Sequence, residues 1–253
     1  AGANGQIGVE FAPKAAPDGY TLLMTTATTQ AANPWLYKKL RYDSLKDFTP
    51  IGRTGVLPFV VSVRPTLPIH SMRELLDHAK ANPGKLSFAS PNSTSMLAAE
   101  AIAKLANVEM INVTYKSAPQ ALTDILAGHT DLYVVDFGVG LASIRSGKLR
   151  PLAMTSSRSP LLPDVPPLAD TLPGFDLPPW NGIFGPANLP KPIADQLASA
   201  LHSVLQDKDT QEKFAALGFD VKATRTPEEF RRYVADQHAY WGRMVEIARV
   251  QPQ

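Results

Sequence analysis

One short segment, residues 90–95 with the sequence "SPNSTS", carries four hydroxyls and one amide between an apolar run and an amphipathic pattern. A helix N-cap uses only one side-chain oxygen, so most of these groups are in excess of what capping requires. Hydroxyls beside the backbone N–H groups of a helix start form a cradle of the kind that binds anions. The alternative interpretation is a polar surface loop. The predicted ligand-binding residues of this segment are Ser90, Asn92, Ser93, Thr94 and Ser95.

Two further strand ends carry groups that could contact the same ligand. Tyr115 and Lys116 follow the next predicted strand, and Asp136 ends the one after it. Lys116 would neutralise ligand charge, or would be an ordinary exposed lysine. Asp136 would accept a hydrogen from a ligand amine or hydroxyl, or would hold a neighbouring loop in place.

The sequence lacks three common motifs of catalysis. The chain has no G-x-S-x-G elbow, no H-E-x-x-H pair and no G-x-x-x-x-G-K-[ST] loop. It has no cysteine, and its five histidines are scattered. Hydroxyls without a neighbouring base are not activated as nucleophiles. We therefore predict a binding protein with no catalytic residue, no metal ligand and no cofactor.

Composition excludes two further classes of function. The 253 residues include 25 basic and 23 acidic side chains, so the net charge of +2 gives no reason to expect a nucleic-acid partner. No apolar run approaches the roughly 18 residues that a membrane helix needs. The hydrophobic share of 44% is typical of a globular protein, and the length suits one large domain or two of ordinary size.

Short apolar strands alternate with amphipathic helices along most of the chain, a pattern that indicates an α/β protein built from parallel βαβ units. Strands are predicted at residues 20–26, 57–63, 86–90, 109–115, 131–136 and 149–155. The segment "SPNSTS" then lies between the carboxyl end of a strand and the amino end of helix 95–106. Open α/β sheets bind their ligands at this edge.

The last third of the chain is predicted to be different. A proline-rich passage at 159–180 is too long for an ordinary connection and indicates a functional loop or an inter-domain arm. A short strand at 182–186 precedes helices at 192–206 and 209–217. A capping box at Thr226 opens a final helix whose aromatic stripe we interpret as core.

Six ordered segments make the chain similar to a known family. They read "APDGYTLLM", "NPGKLSFAS", "VTYKSAPQALTDILAGHTDL", "SGKLRPLAMTS", "LPDVPPLAD" and "TPEEF". In this order they resemble the Bug-type solute-binding receptors of tripartite tricarboxylate transporters, over nearly the whole chain.

The resemblance implies a two-lobed, type II periplasmic-binding-protein fold, each lobe a mostly parallel sheet flanked by helices. One lobe would hold residues 1–60 plus 177–253, and the other residues 61–176. The crossings near "PFVVSV" and "PWNGIF" would form the hinge. The opening "AGANGQIG" resembles an internal Gly-rich segment of the family, so the resemblance implies that the family's first βαβ unit is absent from this chain.

The resemblance also implies a function. The expected protein is a periplasmic receptor, with its signal peptide absent from this chain, that closes two lobes on a small carboxylate. It would then present the ligand to membrane components of a transporter, acting as a monomer. Dicarboxylates, tricarboxylates, acidic amino acids and aromatic acids are the expected ligand classes. Trp35 and Trp180 would form an apolar wall for an aromatic acid, or would be core or rim residues.

The stretch "TTATTQAANP" becomes, by the same resemblance, the facing half of the cradle; otherwise it is a polar strand exit. The residues that it contributes are Thr26, Thr28, Thr29 and Gln30.

Two other classes of function stay open at this stage. The effector-sensing domain of a transcription regulator shares the lobed architecture but would need a helix-turn-helix segment upstream. An enzyme on the same scaffold would show turnover of carboxylic acids or esters.

Overall fold

The computed structural model describes residues 5–252, which contain both strands and helices. The strands are β1 Leu23–Thr26, β2 Phe48–Val56, β3 Phe59–Val63, β4 Ser87–Ser90, β5 Ile111–Thr114, β6 Leu132–Asp136, β7 Arg150–Met154, β8 Asn181–Pro186 and β9 Asp220–Val221. The α-helices are α1 Gln6–Val9, α2 Asn33–Leu36, α3 Met72–Ala81, α4 Ser93–Ala106, α5 Ala118–Ala127, α6 Phe137–Arg145, α7 Lys191–Gln206, α8 Lys208–Ala216 and α9 Pro227–Ala248.

The chain divides into two compact units. Unit 1 contains the described residues up to Val56, Pro179–Arg243 and the last residues from Gln251. Unit 2 contains Leu57–Pro178 and Met244–Val250.

The sheet of unit 2 has the strand order β5-β4-β6-β3-β7. Its five strands are those predicted between residues 57 and 155. Strand β4 pairs in parallel with β5 and β6, whereas β3 pairs antiparallel with β6 and β7. The carboxyl ends of β4, β5 and β6 therefore lie at one edge, where α4, α5 and α6 begin.

The sheet of unit 1 has the order β1-β8-β2-β9, and every neighbouring pair is antiparallel. The α/β class is confirmed, but the expectation of a mostly parallel sheet in each lobe is wrong for this unit. Parallel neighbours need a crossover connection between them. Strand β8 enters from a distant part of the chain and lies between β1 and β2, so no crossover dictates its direction.

Strand β2 was missed by the sequence analysis because it is irregular. Its pairing with β8 shifts register between Pro50 and Gly52, and again between Arg53 and Gly55. Bulges of this kind break the alternation by which a strand is recognised. A side chain at Gly55 would lie 2.2 Å from the carbonyl oxygen of Asp220, so the close approach of β9 requires glycine.

Capping boxes begin two of the helices, and the one at Thr226 was predicted correctly. Ser71 accepts a hydrogen bond from the backbone N–H of Glu74 at 3.2 Å, and the Glu74 carboxylate accepts one from His70 at 2.6 Å. Thr226 likewise accepts from the N–H of Glu229 at 3.1 Å. These contacts satisfy N–H groups that have no partner within the helix.

The proline-rich passage packs within unit 2 as far as Pro178. The N–H of Met154 at the end of β7 donates to Pro166 at 2.8 Å, and Leu168, Phe175 and Leu177 are buried. The passage therefore extends the hydrophobic core along β7.

The aromatic stripe of α9 is core, as predicted: Phe230 and Trp241 are fully buried. Among the described helices, none combines the length and the apolarity that a membrane crossing requires. Residues 1–4, the start of the Gly-rich opening, lie outside the described residues.

Replacing Gly182 in β8 by alanine tests how closely the core of unit 1 is packed. The added Cβ would lie 2.2 Å from Cζ of Phe230, so Gly182→Ala should lower the free energy of unfolding by about 1–3 kcal/mol, measured by urea denaturation. Gly8→Ala is the matched control, because a Cβ added at that position would have no atom within 4 Å outside its own helix turn and chain neighbours. Equal unfolding midpoints for the two variants would contradict the packing.

Candidate ligand-binding site

Three helices begin at the same edge of the unit 2 sheet, each capped by a polar side chain. Asn92 caps α4, Ser117 caps α5 and Asp136 caps α6, each accepting a backbone N–H of the first turn. A helix N-terminus carries positive partial charge. The three starts together make this edge attractive to an anion without a cluster of cationic side chains.

The start of α4 is fixed to the strand beside it. Asn92 Oδ1 accepts the N–H of Ser95 at 2.9 Å, and the Ser95 hydroxyl donates to the carbonyl of Val134 on β6 at 2.8 Å. Ser93 and Thr94 are buried in the same turn. Of the predicted residues, Asn92 and Ser95 therefore hold the helix start in position, and the structure brings Ser93 and Thr94 to the same turn.

Ser90 is engaged inside the unit. Its hydroxyl donates to Oδ1 of Asn112 on the neighbouring strand β5, and Asn112 also interacts with Glu100 of α4. Burial raises the pKa of the Glu100 carboxyl. Sequence reasoning missed Asn112; the available signal was an amide within the apolar strand "EMINVTY".

The hydroxyl of Tyr115 lies away from this edge. The Tyr115 side chain packs in the core of unit 2, and its hydroxyl interacts with Asp124 and Thr130. Burial chiefly, and Asp124 next, raise the pKa of this tyrosine. Thr130 precedes β6 and so lies toward the opposite edge of the sheet. Lys116 is at the predicted edge, exposed, and forms no ion pair with a described residue.

Asp136 is a buried carboxylate with no cationic partner among the described residues. Asp136 is only 8% exposed, and its Oδ1 accepts a hydrogen bond from the N–H of Val139 at 3.1 Å. Desolvation by burial raises the pKa of Asp136, although backbone N–H groups of α6 act in the opposite direction.

A second group of predicted residues lies in unit 1, where β1 ends. Thr26 is the exposed last residue of β1, and Thr28–Ala32 form one turn of π-helix. The Thr29 hydroxyl bonds to that of Thr25 and donates to the Thr26 carbonyl at 3.1 Å. π-Helical turns are rare and are frequent at functional sites.

Tyr42 supports this turn and was missed by the sequence analysis. Its hydroxyl donates to the Thr29 carbonyl at 2.7 Å, and burial raises its pKa to about 12. No sequence pattern connects Tyr42 with a turn 13 residues earlier.

Gln30 has the most unusual environment of the predicted residues. It is 0% exposed, and neither its amide nitrogen nor its amide oxygen has a hydrogen-bond partner among the described residues. A buried polar group left without a partner costs about 1–3 kcal/mol. Such groups are rare in native proteins and call for a specific explanation.

Trp35 and Trp180, the two candidates for an apolar wall, both have contacts within the protein. Trp180 is fully buried and packs edge-on against Phe230 and Tyr233, as expected for a core residue. Trp35 is partly exposed, and its indole N–H donates to the carbonyl of His238 at 2.9 Å.

Comparison with known proteins identifies the family. The model of the tripartite tricarboxylate transporter family receptor, TctC, matches residues 1–249. The chain belongs to this family. BugT of Bordetella pertussis is 32% identical over 97% of this chain and 76% of BugT. A UPF0065 protein from the tcbD–tcbE intergenic region of Pseudomonas sp. strain P51 is 32% identical over 97% of this chain and 74% of its own length. The resemblance to Bug-type receptors is therefore confirmed.

Solved structures confirm the periplasmic-binding-protein architecture of this solute receptor. The periplasmic binding protein BugD matches with a TM-score of 0.88 at 30% identity, over 100% of this chain and 86% of BugD. Rpa4515 of R. palustris with adipate gives 0.91 at 26% identity, over 98% and 84%. MatC of Rhodopseudomonas palustris with bound malate gives 0.85 at 28%, over 96% and 85%.

Replacing Gln30 tests whether its buried amide lacks a hydrogen-bond partner. Gln30→Met keeps the length of the side chain and removes both polar atoms. It should raise the free energy of unfolding by about 1–3 kcal/mol in urea denaturation. Gln196→Met, at an exposed position of α7, should change it by less than about 0.5 kcal/mol. Loss of stability in Gln30→Met would show that the amide is satisfied.

Asp136→Asn tests the buried charge through pH. Because the folded-state pKa of Asp136 is raised above 3.8, its contribution to stability falls as pH rises through the window between the two values. Asparagine caps a helix about as well as aspartate. The variant should therefore be more stable than the wild type near neutral pH, and this advantage should disappear below the ordinary pKa of 3.8. Urea denaturation across this pH range measures it, and a difference that does not change with pH would contradict the interpretation.

Proposed function

We propose that this receptor binds a small carboxylate in the periplasm and presents it to the membrane components of a tripartite tricarboxylate transporter. The observation that carries the proposal is the convergence of three helix starts at one edge of the unit 2 sheet, with hydroxyl-rich α4 at its centre. The adipate and malate bound to two similar receptors support a carboxylate as the ligand. The effector-sensing alternative receives no support from the family match.

The chemistry of the α4 start is sufficient for useful affinity. A partly buried helix N-terminus stabilises an anion by up to about 2 kcal/mol. Each hydrogen bond to a charged group adds about 1.5–3 kcal/mol. Several such bonds, reduced by the cost of association, reach the roughly 8 kcal/mol of a micromolar complex. Lys116 adds long-range attraction rather than a fixed contact, because its side chain is exposed.

The proposal includes ligand contacts from both lobes, one formed by residues 1–60 with 177–253 and the other by residues 61–176. In the first lobe the ligand contacts come from the end of β1 and the turn after it. The residues are Thr26, Thr28, Thr29 and Gln30. The unpartnered amide of Gln30 supports this, since a ligand would supply its missing hydrogen bonds. Ligand contacts to two lobes would shift an equilibrium between open and closed states.

We propose a monomer that binds its ligand without transforming it. The Asn92 and Ser95 side chains are engaged in fixing the start of α4, which suits a binding role.

A thermal-shift series with carboxylic acids tests the function directly. The panel contains succinate, adipate, L-malate, citrate, L-glutamate and benzoate. A ligand that binds only the folded protein raises the free energy of unfolding by about 2.7 kcal/mol at one hundred times Kd, so Tm should rise progressively with ligand concentration. A flat Tm for the whole panel would contradict the proposal.

Two cap variants locate the binding to the α4 start. Asn92→Ala and Ser71→Ala each remove an N-cap side chain and should each lower stability by about 1 kcal/mol. Ser71 caps α3 at the opposite edge of the sheet, because β3 runs antiparallel to β6. Only Asn92→Ala should weaken the binding of the best acid of the panel, by about tenfold in calorimetry, because it loosens the helix start to which the anion binds. Equal weakening by both variants would show a general effect of stability.

A further inference from the structure

We propose that Asp136 is a specificity-determining residue. When an anion occupies the start of α4, the Asp136 carboxylate must either accept a hydrogen bond from the ligand or take up a proton. A ligand with a hydroxyl or ammonium group beside its carboxylate donates that hydrogen bond itself, whereas a plain dicarboxylate requires a proton from solvent. The inference rests on the proposed carboxylate function and deepens it.

The sheet register places Asp136 beside the α4 start. Phe88 and Ala89 of β4 pair with Leu132 and Tyr133 of β6. Val134, the next residue of β6, receives the Ser95 hydroxyl bond at 2.8 Å. Asp136 lies two residues further along, about 6.6 Å at the usual rise of a strand. Neighbouring strands are about 4.8 Å apart, so residue 136 is level with the turn in which α4 begins.

The surroundings of Asp136 provide hydrogen bonds but no positive charge from a side chain. Its own strand contributes the buried Tyr133, whose interaction with the Asp136 charge is electrostatic. Helix α6 contributes the N–H groups of Gly138 and Val139. The paired residue on β3 is Phe59, and Leu57 lies beside Gly138. Tyr133 is therefore the titratable side chain that interacts with Asp136 within the described part of the chain.

A ligand carboxylate at the α4 start changes this balance. Two carboxylates sharing a site resist simultaneous ionisation, and one of them takes up a proton. Burial already raises the pKa of Asp136 before a ligand arrives, and an approaching anion would raise it further. A hydrogen donated by the ligand relieves the same repulsion without a proton from solvent.

Selectivity follows from this requirement. A site that must hydrogen-bond a ligand group discriminates strongly against an analogue that lacks the group. L-Malate and succinate form the matched pair, because they differ only by one hydroxyl. The hydroxyl can donate to Asp136, whereas succinate has no donor once both of its carboxyls are ionised.

Calorimetry with this pair tests the inference. Each acid is titrated into wild type, Asp136→Asn and Asp176→Asn, in two buffers of different ionisation enthalpy, at about pH 6.5–8. The wild type should bind L-malate at least about tenfold more tightly than succinate. Succinate binding should take up a proton, and its affinity should rise as pH falls, by at most about tenfold per pH unit.

Asp136→Asn should change only the succinate result. Its succinate affinity should rise by about tenfold and the proton uptake should vanish, because the competing charge is gone. L-Malate should change by less than about threefold, since the amide oxygen still accepts the hydroxyl hydrogen. Asp176→Asn neutralises another carboxyl of unit 2 whose pKa is raised by burial, and should behave as the wild type does.

Three results would overturn the inference. The first is a ratio of L-malate to succinate affinity that is the same in Asp136→Asn as in the wild type, together with no proton uptake by the wild type. This result would leave the proposed carboxylate function intact. The second is an equal effect of Asp176→Asn, which would indicate a general effect of charge. The third is binding of neither acid by the wild type; the function itself is then decided separately by the wider carboxylate panel.

Discussion

The parallel pairing of β4 with β5 and with β6 is the constraint on which the rest of unit 2 depends. It brings three strand ends to one edge, and the helix that follows each strand must begin there. Three partial positive charges are thereby concentrated at that edge by the backbone alone. An anion site of this kind depends on strand order and direction more than on the identity of any single side chain.

Much of unit 2 could be predicted from the sequence because its signals are local. Apolar strands of four or five residues, capping boxes such as Ser71 with Glu74, and a glycine at the end of α5 each report their own element. The hydroxyl-rich start of α4 was also visible, since capping alone does not explain so many polar groups. The family resemblance then supplied the function, which no local signal specifies.

The parts that could not be predicted depend on contacts between distant residues. The antiparallel direction of β8 follows from its place between β1 and β2, which no periodicity reports. The bulges of β2 concealed a strand of nine residues. The sequence shows that Tyr115 follows a strand, but its hydroxyl interacts with Asp124 and Thr130. The unsatisfied amide of Gln30 and the support from Tyr42 are likewise visible only in three dimensions.

The bond from Ser95 to the carbonyl of Val134 has an evolutionary consequence. The acceptor is a main-chain atom, which every residue type provides. Residue 134 can therefore be exchanged among apolar side chains in related receptors without loosening the attachment of the helix. A substitution at position 134 then changes the packing of the core but leaves the anchor of the helix start in place.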